Sequence, residues 1–591
     1  MGIIWLVGIA VTFATAVPVI LQLRGHPKGL FVLFFAEMWE RFSYYGMRGL
    51  LIFYLSEQFL FDDDFAQGQY GGYTALVYLL PLVGGFVADR WLGTRKAIGF
   101  GALLLVAGHL TMAVEGKPAV QALTYHGAQY AFQVTGRMEG RKALIKVGEG
   151  TYAYGATPDG GLAIQGLPAT APLPSVLPKG AFQLSVKGRE PLFVDVFYLA
   201  LSLIIMGVGF LKANISSIVG QLYRDGDARR DPGFTLYYYG INLGAFWASL
   251  ACGALGQTFG WWAGFGAAGL GMLAGYVGFA LGKPWLEGKG EPPAPEALTK
   301  PLAGPINAEW LIYLAGVVGV GLVWLLVRRF DWVGWMLGAG SIVTLGYLGW
   351  EMARNCTRIE RERMILALVL IGASVIFWTM FEQAGSSLNQ FADRNVQLAL
   401  TATQSISPPQ IQAFNAGFIL IGAPAFAGLW TFLGSRRLDP NPVIKFALGL
   451  AQVGLSFLII CWGARFADAQ ARTPLVFLAV AYMVQTTGEL CLSPVGLSQM
   501  TKLSPPLLLS TLMAVWFLAA SWAQWLGGFV ARLTATATVA GQVLDPAKAL
   551  ATYVAVYSKA GWITVGLGVL LGLASPWLKR LAHGASDIRE A

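Results

Sequence analysis

Runs of about 20 apolar residues, the length needed to cross the hydrocarbon core of a bilayer, recur roughly fifteen times along the chain. They begin near residues 3, 29, 70, 97, 192, 234, 260, 309, 332, 363, 410, 442, 473, 507 and 551. A backbone inside lipid must satisfy its hydrogen bonds internally, and segments of this length do so as helices. Only 12% of the residues are charged, against about 25% in soluble domains. The sequence therefore predicts an all-α polytopic membrane protein whose surroundings are a lipid bilayer.

Basic residues cluster in the loops on one side of the predicted spans. The loops after the third, fifth and eleventh runs contain Arg90, Arg95, Lys96, Arg224, Arg229, Arg230, Arg436, Arg437 and Lys445. The loop with three aspartates at 62–64 contains no Lys or Arg. Because basic loops stay in the cytoplasm, these loops and the C-terminal Lys579–Arg580 are predicted to be cytoplasmic. The net charge of +9 then reflects topology, and no nucleic-acid partner is expected.

The first run, within residues 1–24, is predicted to be an additional N-terminal transmembrane helix with its N-terminus outside. The alternative is a signal peptide cleaved after the small residues Ala14-Thr15-Ala16. The uncleaved helix is favoured because no basic residue precedes the apolar stretch, as a signal peptide requires. The four cysteines and four histidines are scattered, so no disulfide framework, metal site or cofactor is expected.

Two hydrophilic segments interrupt the helices. Residues 115–190 alternate in places at a period of two, as in Phe182-Gln183-Leu184-Ser185-Val186, which predicts a small β-rich external (periplasmic) insert. A disordered loop is the alternative reading. The insert holds no charged residue in apolar context, so transport is expected to survive its deletion. The Pro-rich residues 283–308 are predicted to form a cytoplasmic linker.

Ionisable side chains inside several spans are the feature that points to function. The second span carries a stripe of polar residues at offsets of 0, 3, 4, 7, 8 and 11, which places them on one helical face: Glu37, Glu40, Arg41, Tyr44, Tyr45 and Arg48. Other spans add Lys212, Glu382, Glu489, Asn242 and Asn415. Charges at this depth cost a few kcal/mol and generally mark a functional pathway. Any single pair could simply hold helices together, but the whole set predicts a shared polar cavity.

Several of these segments resemble the proton-dependent oligopeptide transporter family (POT, also called PTR) of the major facilitator superfamily. The ExxER motif is present as Glu37, Glu40 and Arg41, and other matching segments read LYYYGINLGAF, FEQAGSSLN, GELCLSP and GGFVADRWLGTRK. The resemblance implies a bacterial inner-membrane peptide transporter. It also implies two six-helix bundles with two helices inserted between them. The expected divisions are 25–114 with 191–282, 309–352 for the inserted helices, and 363–580 for the second bundle.

The same resemblance, together with the chemistry of a zwitterion, implies how a di- or tripeptide is held. Its termini lie roughly 7–11 Å apart, so the two ends are expected to be clamped separately. Arg41 and Lys212 would take the carboxylate and Glu489 the amine, since charge-assisted bonds are the strong ones. The remaining expected contacts are Asn242 and Asn415 for amide or terminal groups, Tyr44, Tyr45 and Tyr78 for side chains, and Trp516 as an aromatic wall.

Proton coupling is expected to fall on carboxylates, because the span from Tyr70 to Ala88 lacks the histidine that animal members of the family use. The candidate groups are Glu37, Glu40, Arg41, Glu382 and Glu489. The expected pairs are Arg41 with Glu37 and Glu40, Lys212 with Glu489, and Arg48 with Glu382, the last forming an outer gate.

Other functions remain open at this level. A carrier of nitrate or another small anion is the main alternative, because family relatives with ExxER move other solutes. A membrane receptor or a membrane enzyme is less favoured, since neither gives the buried charges a role. A monomer that uses protons and peptides as its partners is expected.

Overall fold

The computed structural model describes residues 2–224, 226–303 and 306–585, and most of them are helical. The α-helices are α1 Ile3–Leu23, α2 Lys28–Phe53, α3 Asp63–Val87, α4 Thr94–Met112, α5 Pro191–Gln221, α6 Arg230–Thr258, α7 Trp261–Leu281, α8 Pro295–Thr299, α9 Ala308–Val327, α10 Phe330–Asn355, α11 Arg358–Phe381, α12 Ser387–Asn395, α13 Pro408–Ile411, α14 Ala413–Ser435, α15 Pro442–Gly463, α16 Leu475–Leu503, α17 Leu509–Arg532 and α18 Pro546–Leu581. The long helices begin within a few residues of the apolar runs, apart from α3, which starts at Asp63 rather than near residue 70.

Length and apolar composition alone qualify 11 of these helical segments as membrane spans among the described residues. The other long helices are α2, α4, α6 and α10, which carry more polar residues or charges in the same length. Polar stripes of this kind are compatible with a bilayer only if they face the protein interior. The helices that fail the apolar criterion include α2, which supplies most of the predicted site.

The helices form two bundles, each with its own apolar core. In the first, α2 packs against α6 and α7, and α4 packs along α5. In the second, α15 lies between α16 and α18. The two bundles meet where α3 packs on α17 and α6 on α14. A Cβ added to Gly71 would lie 2.7 Å from the Cα of Gly528, so the contact between α3 and α17 needs glycine on both helices.

Three further helices lie against the bundles. The inserted pair, α9 and α10, contacts α5, α3 and α17 from outside, and many of its apolar side chains are exposed, as a lipid-facing pair requires. The N-terminal α1 rests on α6, where Trp5 stacks on Trp247 at 6.1 Å and Thr15 lies 2.8 Å from the Tyr239 hydroxyl. The all-α architecture, with two six-helix bundles, an inserted pair and an additional N-terminal helix, is confirmed.

The segment between α4 and α5, called the insert below, is built of antiparallel strands. The strands among the described residues are β1 Val120–Tyr125, β2 Ala128–Thr135, β3 Lys142–Val147, β4 Gly150–Tyr152, β5 Tyr154–Ala156, β6 Leu162–Ile164, β7 Val176–Leu177, β8 Gln183–Lys187, β9 Pro301–Ala303, β10 Ile306–Asn307, β11 Val396–Gln397, β12 Ala399–Thr401, β13 Gln404–Ser405, β14 Thr473–Pro474, β15 Thr538–Val539 and β16 Gln542–Val543. The insert contains a five-stranded sheet in the order β4-β3-β2-β1-β8 and a three-stranded sheet in the order β5-β6-β7. Buried Leu123, Phe132, Ile145 and Leu162 fill its core. The β-rich prediction is confirmed and the disordered alternative is wrong.

The segment between α7 and α9 is compact where it is described. Helix α8 follows a short turn, and Arg95 forms an ion pair with Glu291 while its backbone N–H donates to the Gly290 carbonyl at 2.9 Å. These contacts hold the segment against the start of α4. It therefore lies at the end of the molecule opposite the insert.

Candidate functional site: a charged cavity between the bundles

The ExxER segment folds into a buried triad one helical turn long. The Arg41 Nε donates to Glu37 Oε1 at 2.8 Å and lies 2.9 Å from Glu40 Oε2. All three side chains are buried, and Glu40 is fully so. Spacings of one and four residues on α2 place both carboxylates on the same guanidinium. One cation thus faces two anions in a region without bulk water, which leaves the triad with a net negative charge when all three groups are ionised.

Lys212 lies beside this triad but its ammonium group contacts an aromatic ring. Its Nζ is 3.5 Å from the centre of the Tyr78 ring, a cation–π distance. Among the described residues no carboxylate lies within 4.0 Å of it. The predicted Lys212–Glu489 pair is therefore not formed in this conformation. The reason is geometric: Lys212 on α5 is stacked on Tyr78 of α3, within its own bundle, whereas Glu489 belongs to α16 of the other.

Glu489 is buried and is held by neutral hydrogen-bond donors. Asn415 Nδ2 donates to Glu489 Oε2 at 3.2 Å and to Thr486 Oγ1 at 3.0 Å. The Tyr238 hydroxyl of the first bundle donates to Glu489 Oε1 at 3.5 Å. Within the described part of the chain this carboxylate has no basic partner in ion-pair range. A positively charged ligand group would complete its coordination.

Arg48 and Glu382 form the expected ion pair between the bundles. Arg48 also donates from Nε to the Tyr70 hydroxyl at 2.6 Å. Arg48 comes from α2, and Glu382 from the 3₁₀ turn that follows α11. Because both side chains are buried, the pair closes the space between the bundles beside the cavity.

Arg48, Glu382 and Glu489 line a cavity of about 140 Å³ between the bundles, whereas the Glu37–Glu40–Arg41 triad and Lys212 are not part of its lining. Its predicted lining residues are Tyr45, Arg48, Tyr78, Asn242, Glu382, Asn415 and Glu489. Lining residues that the sequence reasoning did not single out are Tyr238, Ser249, Trp378, Gln412 and Tyr482. Tyr238 could have been found, because it lies one turn before Asn242 in the LYYYGINLGAF segment and so shares its face.

Four predicted substrate residues do not line this cavity, namely Arg41, Lys212, Tyr44 and Trp516. Tyr44 is buried beneath it, with its ring edge-on to Tyr45 at 5.3 Å. Trp516 packs within the second bundle over Gly496, where an added Cβ would lie 2.6 Å from the indole. The aromatic side chains of the second bundle at the cavity wall are instead Trp378, Phe381 and Tyr482. Tyr44 and Trp516 are therefore not positioned in this conformation to make the direct substrate contacts that were expected of them.

The cavity is sealed from the end that carries the insert. Asp63 of α3 accepts from Arg394 of α12 at 2.6 and 2.8 Å, and Asp64 pairs with Arg532 of α17 at 2.8 Å. Gln67 donates to Gln390 at 2.6 Å in the same layer. In the described ranges, each ion pair that joins the two bundles is one of these two or Arg48–Glu382. The structure is therefore a conformation closed at the insert end.

Two six-helix bundles that enclose a buried, charged cavity and are latched at one end define a secondary transporter of the major facilitator type. The sequence pattern of the POT family matches residues 95–548, and the chain belongs to that family. It is a family of transporters, so the protein is not an enzyme.

Similar proteins agree over nearly the whole length. The uncharacterized transporter YclF of Bacillus subtilis is 32% identical over 566 residues, 95% of this chain and 96% of that protein. Dipeptide and tripeptide permease A of Salmonella typhimurium is 29% identical over 560 residues, covering 94% and 93%. The crystal structure of a mutant of the peptide transporter POT in complex with alafosfalin matches with a TM-score of 0.70 at 32% identity, covering 94% of this chain and 96% of that one. A POT family transporter in complex with a thioalcohol-conjugated peptide matches with a TM-score of 0.69 at 26% identity, covering 94% and 97%.

Proposed function

We propose that the protein is a proton-coupled symporter that imports di- and tripeptides across the cytoplasmic membrane of a bacterium by alternating access. It works as a monomer, with the insert outside and the C-terminus in the cytoplasm, which agrees with the basic loops at the end opposite the insert. The observation that carries the proposal is the buried carboxylate of Glu489 on one bundle, which has no cationic partner among the described residues and shares the cavity with Arg48 of the other bundle.

The peptide is held by its two charged ends. Its amine binds Glu489, whose hydrogen-bond partners in the described part of the chain are the neutral donors Asn415 and Tyr238. Its carboxylate binds Lys212 and Arg41, since Lys212 gives up only a cation–π contact with Tyr78 to do so. A ligand that contacts both bundles binds more tightly to the conformation in which the bundles are close together. Such a difference in affinity is what a ligand needs to shift the conformational equilibrium.

The charge balance of the buried groups explains why a proton binds with the peptide. Arg41, Lys212 and Arg48 supply three positive charges, and Glu37, Glu40, Glu382 and Glu489 supply four negative charges. Because a net charge is costly in a low-dielectric cavity, one bound proton makes the set neutral and suited to a zwitterion, which is itself neutral. When the peptide carboxylate pairs with Arg41, a carboxylate of the triad loses its cationic partner. Protonation of that carboxylate is then favoured. Proton and peptide therefore bind together.

A carrier of nitrate or another small anion is not supported. Glu489 would repel a bare anion in the cavity, and the Salmonella permease and the two transporter structures above are named for peptides. The proposal predicts that purified protein in liposomes accumulates dialanine when an inward proton gradient is imposed, and only equilibrates it without one. Accumulation of dialanine that does not depend on the proton gradient would refute proton coupling. Saturable uptake of nitrate without uptake of dialanine would refute the peptide substrate.

A further inference from the structure

The insert is fixed to the first bundle by more than its two chain connections. The Met138 N–H donates to both Glu57 oxygens at 3.1 Å, just beyond the end of α2. Arg189 donates to the Phe59 and Leu60 carbonyls at 2.7 and 2.9 Å. The Met138 side chain is buried in the core of the first bundle. The insert must therefore move with that bundle.

The insert also binds the second bundle, through the hairpin β15–β16 that joins α17 to α18. Tyr154 donates to the Val539 carbonyl at 2.9 Å, and the Ala540 N–H donates to Gln121. The Gln542 amide accepts from the Ala143 N–H at 3.2 Å and donates to the Arg141 carbonyl at 2.5 Å. Val539 and Ala540 are buried in the insert's own apolar core. The hairpin tip is thus a component of the insert's fold.

The geometry of the hairpin turn fits this contact closely. Ala540 and Gly541 have φ values of 52° and 75°, as a two-residue type I′ turn requires. Alanine is unfavourable at positive φ, but both its N–H and its carbonyl are bonded to the insert. A Cβ added to Gly541 would lie 2.8 Å from Arg141 Nη2, so a larger residue at this position would displace that guanidinium.

Arg141 connects the two bundles directly. Its Nε and Nη2 donate to the Ala540 carbonyl at 3.1 and 2.7 Å, and its Nη1 lies 3.5 Å from Glu57 Oε2. The Arg141 and Glu57 side chains are 8% and 4% exposed. One buried guanidinium therefore joins a carboxylate of the first bundle to a carbonyl of the second.

We propose that the insert is a latch for the transport cycle and that Arg141 is its gating residue. Opening the cavity at the insert end separates α3 from α17, and an insert fixed to the first bundle must then release the hairpin. The latch stabilises the conformation closed at that end and slows the return to the conformation open there. This inference rests on alternating access in the proposed function. It replaces the expectation that the insert is dispensable.

The test measures a distance across the insert end by electron–electron double resonance. Spin labels are attached at Glu190→Cys and Lys548→Cys, two exposed positions beside α5 and on α18, in a chain whose four native cysteines are replaced by alanine. Arg141→Ala should raise the ratio of the longer-distance to the shorter-distance population about fivefold, the change that corresponds to one typical hydrogen bond. Lys146→Ala, which removes an exposed basic residue of β3, the strand that follows Arg141, should leave the ratio unchanged.

Two further variants test the latch independently in case Arg141→Ala disturbs the fold of the insert. Gly541→Val acts from the hairpin side, and replacing residues 119–188 by a short linker removes the latch altogether. Both should shift the population in the same direction as Arg141→Ala. An unchanged distribution in the deletion variant would overturn the latch. The distances are measured without peptide, whereas dialanine uptake is assayed separately, so failure of the latch and failure of the proposed function give different results.

Discussion

At the scale of single residues, the carboxylates of the cavity differ in what holds them. Glu37 and Glu40 share Arg41, and Glu382 has Arg48, but among the described residues Glu489 has only an amide and a phenol within hydrogen-bond range. Neutral donors satisfy a carboxylate less strongly than cations do. Glu489 is therefore the carboxylate that an incoming ammonium group should stabilise most. Its removal should weaken the binding of ligands with an ammonium group more selectively than removal of the other carboxylates.

Glu489→Gln should weaken binding of dialanine roughly tenfold to a hundredfold, because a hydrogen bond to a charged group contributes about 1.5–3 kcal/mol. N-acetyl-dialanine lacks the ammonium, so it should bind poorly to the unmodified protein and lose little affinity in the variant. The measurement is competition of both ligands against labelled dialanine on both proteins. Glu309→Gln, which alters an ion pair with Lys96 away from the cavity, is the matched control. Equal losses for the two ligands would mean that Glu489 only positions Asn415 and Tyr238.

Glu37→Gln and Glu40→Gln should separate proton coupling from peptide binding. Glutamine keeps the size of the side chain near Arg41 but cannot release a proton. Accumulation of dialanine driven by a proton gradient should collapse, while exchange between labelled and unlabelled peptide should persist at least in part. Both activities are measured in the same liposomes. Gradient-driven accumulation that survives in each single variant and in the double variant would move the coupling site to Glu382 or Glu489.

The identity of the charged residues in the site could be read from the sequence, but not all of their partners. Glu37, Glu40 and Arg41 lie on one helix, where spacing alone decides contact. Lys212 and Glu489 lie on helices of different bundles, and the distance between bundles changes with the state of the protein. The stacking of Lys212 on Tyr78 and the burial of Tyr44 depend on packing that no local pattern encodes.

At the scale of elements, long apolar runs identified every long helix, because lipid imposes length and composition together. The short helices α12 and α13 were not anticipated, since their polar sequences are not apolar runs. They nevertheless supply Arg394 and the contacts that seal the insert end. The strands of the insert followed from period-two alternation, but its contact with β15–β16 joins residues some 400 positions apart, as Arg141 and Ala540 show, and local sequence does not specify such pairings.

The crossing of α3 and α17 should tolerate no side chain larger than hydrogen at Gly71. A Cβ there meets the backbone of Gly528, which cannot move aside as a flexible side chain would. Gly71→Leu should therefore force the helices apart and lower the initial rate of dialanine uptake about tenfold or more, since overpacking costs roughly 1–3 kcal/mol. Gly338→Leu on α10, where an added Cβ meets nothing within 4 Å, is the control. Normal uptake by well-expressed Gly71→Leu protein would show that this crossing does not govern closure.

At the scale of the whole molecule, the conformation is set by what joins the bundles at one end. The connections are the two pairs at Asp63 and Asp64, the Arg48–Glu382 pair, the glycine crossing of α3 and α17, and the insert latch. Each of them is broken when the cavity opens at the insert end, so each contributes to the same equilibrium. Their contributions should differ according to burial, because water replaces an exposed partner easily and a buried one only after opening.

Asp63 and Asp64 allow that difference to be measured on neighbouring residues. The Asp63–Arg394 side chains are 2% and 7% exposed, whereas the Asp64–Arg532 side chains are 55% and 32% exposed. Removing one member of a buried pair costs about 3–5 kcal/mol because the other charge is left unpaired, while exposed pairs contribute about 0–1 kcal/mol. We expect opening at the insert end to hydrate an unpaired Asp63 or Arg394, so that the closed conformation is the one destabilised.

Asp63→Asn and Arg394→Gln should therefore each shift the distance between labels at positions 190 and 548 strongly towards the longer population, and Asp64→Asn should shift it little. The double variant Asp63→Asn/Arg394→Gln should shift it by less than the sum of the single effects, because no buried charge is then left without a partner. A shift in Asp64→Asn as large as that in Asp63→Asn would show that burial does not determine the strength of these contacts. Additive single effects would show that Asp63 and Arg394 act independently of each other.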